Sequence, residues 1–376
     1  MIEAIGEIVR NAREALRLSV DELAAAARGP AARIAALENG TPGISTSELD
    51  RVADQLELDP AALLSGERIP RPRPAVFLRH TGRQDFHAED HTRLDQALEG
   101  GRALRALGAL LGAPAPPRFS RGQKKGADAA RSGYQKAARA RSDGGLGQSN
   151  AVGDLRQVAE DRYGVAVSIL PLSTPNATAV SVCDADGAAA IVLNARDSQR
   201  RSNPLLSRVL LAHELCHVLF DNVRPGQLNV VLDTTDEQVA RVARGEQRAR
   251  AFAAAFLMPE RGLEDLLGKP QEESRVGRAR DLVSRARTHF RTPWEVAVYH
   301  LCNRGYLHRD VQASLLGGGY PQGPGDDTSL PEVGQPSILL VARVREALAQ
   351  ARITEGEAKA LLRVHALDAL PWAPTP

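Results

Sequence analysis

The stretch from Pro204 to Phe220 constrains this chain more than any other. Ser202-Asn203-Pro204 supplies an N-cap and a proline at the first helical position. Leu205, Leu206, Val209, Leu210, Leu211, Leu215, Val218, Leu219 and Phe220 then cover almost every face of the helix that follows. The spacing predicts a buried helix over about residues 203–221. In its middle stand His213, Glu214 and His217. Three ionisable groups in an otherwise apolar helix are costly unless something compensates them.

Residues four apart lie on one helical face, so the two imidazoles can reach a single ion. The intervening Glu214 points beside them, where its carboxylate could take a proton from a metal-bound water. A catalytic zinc takes three protein ligands and keeps one open position, so the third ligand must come from another element. Glu246 is the candidate. It lies on a predicted helix over about 235–258, capped at Thr235 with Gln238 completing a capping box. Ala249, Phe252, Ala253 and Phe256 share its apolar face, so Glu246 points toward the core and needs a cation there. Asp236 and Glu237 suit the helix N-terminus instead, and Glu260, after Pro259, is the weaker alternative. Cys216 reads as a packed thiol rather than a fourth ligand.

These segments together resemble the ImmA/IrrE family of bacterial zinc metallopeptidases. The likeness rests on His213-Glu214-Leu215-Cys216-His217, on Glu246-Gln247-Arg248-Ala249-Arg250-Ala251-Phe252-Ala253 and on Leu257-Met258-Pro259. It extends to Tyr163-Gly164-Val165-Ala166-Val167, to Ile191-Val192-Leu193-Asn194 and to the segment from Phe290 to Arg304. In all it covers about 130–310. It implies that His213, His217 and Glu246 bind Zn²⁺ and that Glu214 is the general base. Cys216 departs from the family, which commonly has Gly there.

Around this site the pattern predicts an α+β domain with a small sheet. A helix ending at Gly164 precedes strand candidates at 165–170, 179–182 and 189–193, and helices follow at about 274–289 and 293–304. Before it, Arg68-Ile69-Pro70-Arg71-Pro72-Arg73-Pro74 is a linker signal. A helix over about 88–111 comes next, then a breaker-rich stretch from Gly112 to Arg131. Residues 67–129 are therefore expected to be a basic linker with a helical segment, and 311–376 a loose segment and a helical tail.

Residues 1–66 read as a compact all-α unit of five short helices. Ser19-Val20-Asp21-Glu22 is a capping box, and Gly40 ends the helix that begins at Ala31. Together with Leu49, Val52, Ala53 and Leu56, these positions resemble the Xre/Cro-type helix-turn-helix. The resemblance places the segment from Ala31 to Leu37 in the major groove of DNA, with Arg33 as its base-contacting side chain. Charge argues otherwise, because residues 1–66 carry six arginines against eleven carboxylates. The basic footprint lies in 67–150, where sixteen Lys and Arg face eight acids. Both readings stand at this point: DNA binding through residues 1–66 and the linker, and docking of the acidic unit on a protein.

Composition closes other routes. Three widely spaced cysteines give no disulfide framework and point to a reducing cytoplasm. No apolar run reaches the roughly 18 residues that span a bilayer, and no secretory signal is visible at Met1. His80, His87 and His91 lack companion ligands, and His289, His300 and His308 fit structural roles. The expectation is a cytoplasmic regulatory zinc metallopeptidase, mostly helical, that cleaves a partner helix-turn-helix repressor. The alternative is a DNA- or protein-binding regulator whose zinc site is structural or sensory.

Overall fold

The computed structural model describes residues 2–15, 18–41, 43–56, 88–119, 128–173, 177–184, 187–196, 204–221, 229–234, 244–317, 337–362 and 370. The chain divides into two compact units, Met1–Ala75 and Val76–Pro376.

In the first unit four helices are described: α1 (Ile2–Ala15), α2 (Val20–Ala26), α3 (Ala31–Glu38) and α4 (Thr46–Gln55). The fifth expected helix, at 61–64, lies outside the described residues. The capping box forms as the sequence requires. Glu22 N–H donates to Ser19 Oγ at 3.1 Å, and Ser19 N–H donates to Glu22 Oε2 at 2.7 Å. Val9, Leu23, Ile34, Leu37, Val52, Ala53 and Leu56 build one small core. Glu38 is buried beside it and is satisfied by Arg13, whose Nε and Nη2 reach its two oxygens at 2.6 and 2.8 Å.

The second unit is built on a four-stranded sheet in the order β1-β3-β2-β4: β1 (Val165–Leu170), β2 (Ala177–Cys183), β3 (Ala189–Asn194) and β4 (Asn229–Thr234). β1 runs parallel to β3, with Val167 opposite Ile191, while β2 pairs antiparallel with both β3 and β4. The strands are short apolar runs because both faces of the sheet are covered. On one face Val165, Val167, Ile169, Ile191 and Leu193 meet the metal-ligand helices. On the other, Ala166, Val180, Val182, Ala190 and Val192 meet Leu94, Ala97 and Leu98 of α5 (Ala88–Leu110). A register shift between Ala177 and Ala179 turns Ala177 toward the α5 side. The strand β4 was not expected, since its apolar run is only three residues long, Val230 to Leu232.

The layer that carries the site consists of α6 (Ala129–Asp143), α7 (Leu155–Tyr163), α8 (Pro204–Phe220) and α9 (Arg244–Leu257). α7 stops at Gly164, which adopts the left-handed conformation (φ 65°) that the sequence anticipates. α6 falls partly in the stretch read as breaker-rich and was missed. It is poor in large apolar residues because it lies close against α9. A Cβ added at its Gly133 would meet the carbonyl oxygen of Arg248 at 2.4 Å. α9 is described from Arg244; the expected start at Thr235 and the expected caps at Thr235 and Ser202 lie outside the described residues.

Four further helices, α10 (Glu260–Leu267), α11 (Val276–Phe290), α12 (Trp294–Asn303) and α13 (Arg309–Gly317), share a second core of Met258, Leu263, Phe290, Trp294, Leu301 and Leu315. The tail is helical as expected, and its described residues form α14 (Ile338–Ala349) and α15 (Glu355–Leu362). Leu340 and Val344 of α14 pack on Leu104 and Leu107 of α5. The segment expected as linker therefore differs from that reading between 88 and 119. α5 is a structural layer of the second unit, held by its apolar contacts to the sheet on one side and to the tail on the other. The architecture is mostly helical with a small sheet, the α+β class expected.

Candidate metal centre

α8 lies against β2 and β3 and is buried along its length, as its all-round apolar sequence dictates. His213, Glu214 and His217 are 5%, 0% and 1% exposed. α9 packs alongside, with Ala249, Phe252, Ala253 and Phe256 wholly within the core. Phe252 stacks on Phe256 with centroids 5.3 Å apart, and Phe220 of α8 meets Phe252 edge-on at 5.8 Å. This aromatic seam fixes the two helices against each other, and Glu246, on the same side of α9, is carried to the histidines.

Three ligand atoms converge there. His213 Nε2 and His217 Nε2 are 3.1 Å apart. Glu246 Oε2 lies 3.0 Å from His213 Nε2, and its Oε1 lies 3.4 Å from His217 Nε2. A tetrahedral zinc with bonds of about 2.0–2.1 Å has ligand–ligand edges of about 3.3 Å. The observed separations match those edges. His213, His217 and Glu246 form the one cluster of three metal-ligating groups among the described residues. Glu260 is not part of it; it sits at the start of α10, paired with Arg304. Asp236 and Glu237 lie outside the described residues.

The electrostatics point the same way. Burial favours neutral His217, but Asp221 and Glu246 outweigh it and push the imidazolium pKa well above its ordinary value. Burial raises Glu246, yet its bonds to the two histidines hold it well below the usual carboxylate range. A proton held among these groups takes the place of a cation. Two nitrogen donors, one carboxylate and the match of their spacing to tetrahedral edges fit Zn²⁺.

The roles of two residues at this site, Asp221 and Arg248, were not read from the sequence. Asp221 follows His217 by one helical turn, and its Oδ2 lies 3.0 Å from His217 Nδ1. Its other oxygen pairs with Arg248 of α9. The signal was present in the spacing, since 213, 217 and 221 repeat every four residues along one face. Cys216 is a buried thiol pushed up to about 11 by burial, with Arg248 hydrogen-bonded to it. It is a packed thiol outside the ligand cluster.

The remaining sequence candidates are dispersed. Arg33 is exposed on α3 and paired with Glu48 of α4 at 2.5 Å. His300 is buried, with its Nε2 2.9 Å from the Met258 carbonyl oxygen, and His308 is exposed beside Asp310. His289 packs edge-on against Phe290. His80 and His87 lie outside the described residues, as does the His91 side chain. Among the described residues no helix is long and apolar enough to cross a membrane.

Residues 160–301 match the family model Peptidase_M78, the IrrE N-terminal-like domain. The matched span contains the sheet, α8, α9 and all four residues singled out at the site, and it supports a metallopeptidase-type domain related to the ImmA/IrrE family. No curated protein and no solved structure matches the chain.

Proposed function

We propose that the chain is a regulatory zinc metalloendopeptidase acting on a protein partner, a helix-turn-helix repressor. The observation that carries this reading is the convergence of His213, His217 and Glu246 with Glu214 on the same helix as the two histidines. His213 Nε2, His217 Nε2 and a Glu246 carboxylate oxygen would hold the ion. When bound, zinc supplies Lewis acidity toward a peptide carbonyl and lowers the pKa of water. Glu214 takes the proton of the attacking water on a carboxylate oxygen and delivers it to the departing amine. The match of residues 160–301 to the IrrE N-terminal-like domain adds to this reading.

The first unit, with its acidic balance, supplies the partner-recognising element of this reading. On its α3, Arg33 is matched by Glu48 and its neighbour Ala32 is an exposed small apolar residue. That surface suits a protein partner better than a base edge.

A second reading is favoured by the burial of the centre. Glu214 is 0% exposed and Glu246 9%. Such enclosure is what a structural or sensory zinc site requires, whereas a peptidase must admit a peptide. The discriminating experiment incubates the zinc-loaded chain with helix-turn-helix repressors encoded beside its gene, and reads fragments by mass spectrometry. Cleavage by wild type, absent with Glu214→Gln, supports the peptidase. Binding of a repressor without cleavage supports the sensory site.

A further inference from the structure

Asp221 is a carboxylate at the buried C-terminal end of α8, 3% exposed. One oxygen faces Nδ1 of His217 at 3.0 Å, and the other pairs with the Arg248 guanidinium. Arg248 is itself 3% exposed and stands on α9, two residues beyond Glu246. It also reaches the Cys216 thiol on α8. A single buried chain of contacts thus runs from the ring of one metal-facing histidine to the helix that brings the third ligand.

Each link has a separate consequence. A carboxylate at Nδ1 holds a proton there and turns the ring so that Nε2 faces His213 and Glu246. The guanidinium bond then ties the end of α8 to the start of α9. Glu246 sits on the first turn of α9, where helices fray most readily. Nothing in the aromatic seam farther along α9 fixes that first turn directly, whereas Arg248 stands immediately after it.

We propose that Asp221 and Arg248 are positioning residues for the metal: Asp221 orients His217, and Arg248 locks Glu246 into ligand range. This rests on the zinc reading above. It is distinct from a merely stabilising buried ion pair, which would affect folding but not the ligand geometry.

The test uses the full chain as wild type, Asp221→Ala, Asp221→Asn, Arg248→Met and Arg248→Lys. Zinc affinity is measured by competition with a chromophoric chelator, and folding by thermal melting without metal. In the zinc-loaded, ¹⁵N-histidine-labelled protein, NMR reads whether the His217 Nδ1–H is protected from water exchange. Asp221→Ala is expected to weaken zinc binding about 10- to 100-fold and to abolish that protected signal. Asp221→Asn keeps the shape of the side chain and an acceptor oxygen; it should lose less affinity and keep the signal, and it carries the test if the alanine variant does not fold. Arg248→Met should lose about tenfold in affinity with the His217 signal intact, and Arg248→Lys should recover most of the loss. Variants that all bind zinc within about twofold of wild type, with the His217 signal unchanged, would overturn the proposal even if they melt earlier. Failure of the wild type to bind zinc would overturn the zinc reading itself, and the proposal with it.

Discussion

The Nε2 atoms of His213 and His217 face each other at 3.1 Å, and a Glu246 carboxylate oxygen lies within 3.4 Å of each. Two imidazole nitrogens approach so closely only when a proton or a cation lies between them. Helix α8 can hold them there because its remaining faces are apolar and packed on the sheet.

Glu214 lies in the same helix but outside the ligand set, so binding and chemistry should separate. Glu214→Gln is expected to retain zinc within about threefold while losing cleavage by about 10²–10⁴-fold. Zinc content and cleavage of the cognate repressor, measured on the same preparation, check this. A variant that cleaves at the wild-type rate would remove Glu214 from the mechanism.

Gly133 on α6 lets two helices touch. Beside the Arg248 carbonyl oxygen, its missing Cβ would meet the Ala251 Cβ and the Phe252 nitrogen, both at 2.8 Å. Most of those atoms belong to backbone and cannot swing aside. Gly133→Ala should therefore destabilise the second unit by about 1–3 kcal/mol, despite alanine's better helix propensity. Chemical denaturation measures it; an unchanged or raised midpoint would show that α6 and α9 can separate at little cost.

Burial, only partly offset by the bond to the Met258 carbonyl, lowers His300 to about 4. In the unfolded chain the same ring titrates near 6.5. Between those values the unfolded state binds the extra proton, so stability is full above pH 6.5 and falls as pH drops toward 4. The loss attributable to this ring is about 3 kcal/mol. His300→Gln can still donate to the Met258 carbonyl but carries no titrating proton. Its melting temperature should fall less than that of wild type over the same range, and parallel curves would contradict the assignment.

Arg33 is matched by Glu48, whose carboxyl is lowered to about 2, chiefly by hydrogen bonds from Ser45 and further by Arg33 itself. A neutralised arginine contributes little to phosphate or base contacts. Arg33→Ala should change affinity for duplex DNA by less than about twofold, while Glu48→Ala should raise it. Fluorescence anisotropy at fixed salt decides; a loss of tenfold or more for Arg33→Ala would restore the DNA-reading role of α3.

Much of the site was legible because its chemistry is local. His213, Glu214 and His217 announce themselves within one helix, and Glu246 stands out as a carboxylate on an Ala/Phe face. The strands β1, β2 and β3 were equally readable as short apolar runs closed by glycine and polar turns. What escaped depends on the partner rather than on the segment. α6 has few large apolar side chains because its small ones allow close approach to α9, so its pattern looks like a loop. α5 was expected as a helix, but its place as a layer between the sheet and α14 depends on apolar residues that face two directions. Asp221 looks like a helix-ending acid until His217 is known to need an acceptor at Nδ1.

The central claim is that His213, His217 and Glu246 hold one zinc ion, and metal analysis tests it most directly. The wild-type chain, purified with zinc present and dialysed free of excess, is compared with His213→Ala and Glu246→Ala by inductively coupled plasma mass spectrometry. Wild type should carry a single zinc per chain, and both variants almost none, with the folded state confirmed by circular dichroism. Equal zinc in wild type and the two variants, or none in the wild type, would contradict the account.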